Sequence, residues 1–100
     1  MTIEITTTKG QKNLTGCALG KKYRRNYHID DFDDSDEIVF IHFSPKVFSL
    51  NYDFFKTMFG PSMKKLGPKF STHYQFHSGN KMRDHISEFI TKFQIQEQYV

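Results

Sequence analysis

The sequence predicts an α/β (or α+β) two-layer sandwich, with a small mixed sheet of about four strands packed on two main helices. Three features predict it. The run Glu37-Ile38-Val39-Phe40-Ile41-His42-Phe43 is dense in β-branched and aromatic residues, the pattern of a strand covered on both faces of a sheet. The segment from Asn51 to Leu66 then places Phe55, Met58, Phe59, Met63 and Leu66 at helical spacings, which makes one apolar stripe. A second stripe of Met82, Ile86, Phe89, Ile90 and Phe93 predicts an amphipathic helix near the C-terminal end. At 100 residues the chain is expected to be one domain, 1–100, with one core and one working surface.

Taken in order, Thr2 to Thr8 alternates Ile3 and Ile5 with polar residues and reads as a first strand closed by Lys9 and Gly10. From Gln11 to Gly20 the positions of Leu14, Cys17, Ala18 and Leu19 fit one short helix with Gly20 as its stop. The weak alternation from Tyr23 to Ile29 is compatible with a short edge strand whose charges discourage edge pairing. The acidic stretch Asp30 to Glu37 is the segment expected to lack structure, and Ile38 to Phe43 is expected to be central. In the following helix Asn51 is the expected N-cap. Pro61, which lacks an N–H for the Thr57 carbonyl, is expected to kink or break it after Gly60. Gly67 and Pro68 end that helix, and Lys69 to Phe76 reads as a strand parallel to the Ile38 strand through a crossover. Ser78, Gly79 and Asn80 then turn the chain, and Gln94 to Val100 is expected to fray or to lie over the sheet.

Composition limits the classes of function. Apolar residues make up 37% of the chain and aromatic ones 16%, enough to offset ordering entropy and to fold. Cys17 is the single cysteine, so no internal disulfide forms and a reducing compartment is the simpler setting. No apolar run approaches about 18 residues, and Met1-Thr2-Ile3-Glu4 does not open like a signal peptide. A cytoplasmic location follows as the expectation, in the chain's own cell or a host's, with no membrane partner. The net charge of +3 hides two blocks: Lys21, Lys22, Arg24 and Arg25, and directly after them Asp30, Asp31, Asp33, Asp34, Asp36 and Glu37. At this separation the blocks are expected to neutralise one another.

The central unit carries a family resemblance. Gly20 with Tyr23 and Arg24 precedes a strand that ends in His42 and Phe43; Phe54, with Phe59 and Gly60, lies on the helix that follows, and Gly67, Phe70 and Phe76 mark the next loop and strand. Over about residues 18 to 93 this resembles the STAS-like domain family, small relatives of the anti-sigma-factor antagonist fold. The resemblance implies a single STAS-like domain that binds a protein partner through its strand-to-helix surface. Antagonists of that fold can carry a phosphorylated serine at the helix start. Here Asn51-Tyr52-Asp53 stands there and Ser49 is out of position, so a phosphorylation switch is not implied.

The residues themselves offer few catalytic signals. His28, His42, His73, His77 and His85 do not stand at zinc-ligand spacings, so no metal and no cofactor are expected. His42 has the best functional position, near the carboxyl end of the central strand, where ligands bind open α/β sheets; the plainer account is a hydrogen-bonded core histidine. The acidic run lacks the glycine and terminal glutamate of an EF-hand loop and reads as a solvated face. Cys17 has no sequence neighbour to activate it.

The expected function is therefore that of a non-enzymatic protein-interaction module that modulates a partner of unspecified identity. Lys46, Phe48, Ser49, Asn51, Tyr52 and Asp53 are its candidate binding residues. A variant of the same class is a small virus- or mobile-element-encoded inhibitor of a host defence complex. The alternative class is nucleic-acid binding through Lys21, Lys22, Tyr23, Arg24 and Arg25, where cations and aromatics interleave with Tyr27 close by.

Overall fold

The computed structural model describes residues 1–7, 12–77 and 79–98. Strand β1 is Thr2–Ile5, β2 is Asn13–Leu14, and helix α1 is Cys17–Asn26. Helix α2 (Ile29–Asp33) precedes the central strand β3 (Val39–Phe43), which leads through the two-residue β4 (Ser49–Leu50) into α3 (Tyr52–Leu66). A 3-10 turn at Gly67–Lys69 and a helical turn α4 (Phe70–His73) lead to β5 (Tyr74–His77), and α5 (Asn80–Gln98) follows. The α/β class holds. The strands divide into a three-stranded sheet of order β1-β3-β5 and a separate β2-β4 pair. All the described pairings are parallel rather than mixed.

Register explains which side chains form the core. Ile3 and Ile5 stand beside Ile41 and Phe43, while Val39 and Ile41 stand beside Tyr74 and Phe76. These residues share one face because side chains alternate along a strand. Phe55 and Phe59 of α3 close on that face, with ring centroids 5.7 and 5.2 Å from Phe76. On the opposite face Thr2, Glu4, Phe40, His42, Gln75 and His77 are exposed or half-buried. The central strand is thus covered on one face, not two. Its apolar run is continuous because Phe40 rests beside the His77 ring, 5.2 Å between centroids, on the open side.

Helix α3 runs from Tyr52 to Leu66 as one helix through Gly60-Pro61, so the expected break into two segments does not occur. Pro61 faces solvent, and the Arg24 guanidinium binds the helix on either side of it, donating to the Met58 carbonyl at 2.6 Å and to Ser62 Oγ at 2.8 Å. Gly60 leaves room for α5: a Cβ there would lie 3.2 Å from the Phe93 ring. The expected N-cap is present, with Asn51 Oδ1 accepting from the Phe54 N–H at 2.9 Å.

The N-terminal third departs most from expectation. Residues Gln11 to Gly20 were expected to be helical to a stop at Gly20; instead α1 starts at Cys17 and Gly20 lies inside it. Tyr23 to Ile29 is not an edge strand, because Tyr23 is the buried apolar anchor of α1, edge-on to Phe54 at 5.4 Å. Part of the supposedly unstructured acidic stretch is α2, which buries Ile29 and Asp33. Residues 70–73 are helical, so the strand expected from Lys69 begins only at Tyr74. Thr8 to Gln11, Ser78, Tyr99 and Val100 lie outside the described residues, so the expected closing of β1 and part of the Ser78-Gly79-Asn80 turn do too. The last helix extends to Gln98 rather than fraying from Gln94. Among the described residues no helix is long and apolar enough to cross a membrane.

Candidate functional site: a cleft at the carboxyl end of the sheet

Where β3 ends, the chain forms a tethered loop. The Ser44 N–H donates to the Ile5 carbonyl at 2.8 Å, and the Val47 N–H returns to the Ser44 carbonyl at 2.9 Å. Pro45 fits the second position of that turn because its φ is already set. The Phe48 N–H then donates to the Lys12 carbonyl at 2.7 Å, and the Ser49 hydroxyl donates to Asn13 Oδ1 at 2.6 Å. The backbone is held at both ends, yet the Phe48 side chain is 81% exposed.

This loop and the first turns of α5 bound a cleft of about 640 Å³. Phe43, Ser44 and Val47 lie buried beneath it, Met82 is half-buried on the α5 side, and Phe48, Lys81 and His85 stand exposed around it. His42 reaches its wall from the strand end. Its Nδ1–H donates to the His77 carbonyl at 2.8 Å, which fixes the tautomer and leaves Nε2 as the remaining polar atom of the ring.

The other expected partner-binding residues divide by role. Lys46 is exposed on the tethered loop and Asp53 on the first turn of α3. Asn51 is occupied as the cap and also accepts from the Gly16 N–H at 3.3 Å. Tyr52 is held on α5, where its hydroxyl donates to Gln96 Oε1 at 2.7 Å and Lys92 lies 4.4 Å over its ring. Of the loop residues, Phe48 and Ser49 line the cleft and Lys46 does not, and Asn51 and Tyr52 serve the scaffold.

The basic segment is also divided. Lys21, Lys22 and Arg25 are exposed on α1, but Tyr23 is buried and the Arg24 side chain is only 11% exposed. Arg24 donates to Asp30 Oδ1 through Nε at 3.0 Å and to Asp33 Oδ2 at 2.8 Å. Asp30 and Asp31 line the same shallow hollow as Lys21 and Arg25. The two charge blocks therefore meet in space, as their spacing suggested.

Asp33, Ser62 and Tyr74 complete a buried polar group that sequence reading did not find. Tyr74 donates to Asp33 Oδ1 at 2.5 Å, and burial first, then this bond, raises its phenol above the usual range. Only the helical spacing of Ile29 and Asp33, four residues apart on one face, hinted at it. Lys81 was missed, and His85 was weighed only as a metal ligand, because the stripe containing Met82 and Ile86 reads for its apolar positions alone.

The remaining candidates are accounted for locally. His73 Nε2–H donates to the Phe32 carbonyl at 2.7 Å, His28 occupies a left-handed turn with φ of 55°, and Cys17 is exposed at the start of α1. Among the described residues no group of three or more His, Cys, Asp or Glu is arranged to hold a metal ion. No protein-family model, curated protein or solved structure matches the chain.

Proposed function

We propose that the chain is a non-enzymatic, STAS-like interaction module that binds a protein partner through the tethered loop from Pro45 to Ser49 and the cleft behind it. Phe48 carries this proposal: a large aromatic side chain, 81% exposed, stands on a backbone fixed by hydrogen bonds to Ile5, Lys12 and Ser44. Such a residue loses little entropy when a partner covers it, and aromatic anchors in that setting dominate interface energies. The parallel strand-helix-strand unit, with its helix entered from this loop, is the part of the fold that supports the STAS-like reading.

Nucleic-acid binding through α1 is the weaker reading. Its exposed cations are Lys21, Lys22 and Arg25, with Asp30 and Asp31 beside them, and those carboxylates repel phosphate. Affinity capture from the native cell decides between the two. Phe48→Ala is expected to release a bound protein that Lys21→Ala/Lys22→Ala retains; a partner held equally by all three proteins overturns the proposed surface.

A further inference from the structure

We infer that the partner segment taken up by the cleft is an acidic peptide, with carboxylates against the start of α5 and an apolar side chain between Phe48 and Met82. This rests on the docking role proposed above and adds the chemistry of what docks. The sign of the walls carries it. The described lining holds Lys81 and the imidazoles of His42 and His85, and no Asp or Glu. Lys46, exposed on the same loop, lies outside that lining but brings a second ammonium to the loop beside it.

The start of α5 adds to this field. The 19-residue helix begins at Asn80 with no acidic residue in its first turn, and Gly79, Lys81 and Met82 line the cleft. The first N–H groups of a helix have no helical acceptor, and the aligned peptide dipoles favour negative charge there. Helix start, ammonium and imidazole thus converge on one opening. His42 has a lesser part, because its Nδ1–H is already given to the His77 carbonyl and Glu4 is its register neighbour on β1.

The floor excludes a purely polar occupant. Phe43 and Val47 are buried under the cleft, and Met82 and Phe48 offer apolar surface at its sides. A neutral peptide would cover Lys81 without pairing it, and a basic one would meet like charge. One lining ammonium, with Lys46 on the loop beside it, is little for a phosphate backbone, whose binding needs many released counterions, but suits a short segment of alternating acidic and apolar residues.

Fluorescence anisotropy with the full chain tests the inference. The labelled peptides alternate Leu and Phe with Glu, with Gln or with Lys, and single-stranded oligothymidylate is the nucleic-acid control. The Glu peptide is expected to bind more tightly than the other three, and Lys81→Glu/His85→Glu to weaken it by roughly tenfold, since putting two carboxylates in place of an exposed ammonium and an imidazole changes binding on that scale. Both substitutions lie on the exposed side of α5, so retained helicity by circular dichroism shows that folding is not the cause. Equal binding of the Glu and Gln peptides, tighter binding of oligothymidylate, or no binding of any peptide overturns the acidic assignment. A Glu peptide that binds with the charge dependence described but ignores Phe48→Ala overturns the Phe48 docking surface alone.

Discussion

Arg24 on α1 and Asp33 on α2 form an ion pair with 2.8 Å between Nη2 and Oδ2, and the Asp33 side chain is only 2% exposed. Arg24 also binds Met58 and Ser62 on α3, and Asp33 accepts from Tyr74 on β5. One guanidinium and one carboxylate thereby join two short helices, the long helix and an edge strand. A buried ion pair gains little over apolar packing, but removing one partner leaves the other unpaired. Arg24→Met is expected to cost about 3–5 kcal/mol of stability, because it leaves the buried Asp33 carboxylate without its cation, and Asp33→Asn to cost less, because Arg24 keeps Asp30, Met58 and Ser62; urea unfolding midpoints read both. The double variant is expected to cost less than the sum of the two, because the second change removes a group already orphaned by the first.

The Tyr74 hydroxyl predicts an alkaline limit to stability. Burial and the bond to Asp33 raise its ionisation above the usual range, and burial, then Tyr27, moves Tyr23 in the same direction. In the unfolded chain a tyrosine releases its proton near pH 10, while the native chain keeps it. The unfolded state therefore binds fewer protons, and stability present below about pH 10 falls as pH rises toward the folded value. Tyr74→Phe is expected to flatten the decline in urea midpoint across that range, even though it lowers the plateau by losing the bond to Asp33. An unchanged slope would show that Tyr74 does not supply the linkage.

Glycine at position 20 is required by the contact between α1 and α3. A Cβ there would lie 2.7 Å from the Phe54 carbonyl oxygen and 2.8 Å from Thr57 Cβ. Alanine improves helix propensity by about 1 kcal/mol, but overpacking against backbone costs typically about 1–3 kcal/mol. Gly20→Ala is therefore expected to destabilise on balance, by up to about 2 kcal/mol. Gly60→Ala meets only the edge of the Phe93 ring at 3.2 Å and is expected to be close to neutral. Thermal denaturation of the two variants side by side checks the order.

These same contacts explain what the sequence could and could not reveal. The central strand, α3 with its Asn51 cap, and α5 were legible because each carries its own period: branched and aromatic residues in β3, and apolar stripes in the helices. Helix α1 was hidden because its buried positions are Gly20 and Tyr23, one without a side chain and one polar at its tip. Gly20 looks like a stop until the backbone it touches is known. Asp33 could not be told from its acidic neighbours, since only a tertiary partner selects which carboxylate is buried. In the cleft, the loop side was readable from Pro45 to Ser49. The α5 side was not, because Lys81 and His85 become part of a site only through the position of the sheet end.

Asn51 and Phe48 lie three residues apart but are expected to fail in opposite ways. Asn51 Oδ1 accepts from the Phe54 and Gly16 N–H groups, so Asn51→Ala uncaps α3 and releases the start of α1. A lost cap costs about 0.5–2 kcal/mol, and the second bond puts this variant toward the upper end. Phe48, at 81% exposure, contributes little to the folded chain, and Phe48→Ala is expected to stay within about 0.5 kcal/mol of the parent. Binding should reverse that order. Phe48→Ala removes the anchor and lowers affinity for a captured partner, while Asn51→Ala, assayed below its own melting temperature, leaves affinity nearly unchanged. If Asn51→Ala instead abolishes binding in a folded protein, the partner touches the α3 start directly and the surface extends beyond the cleft.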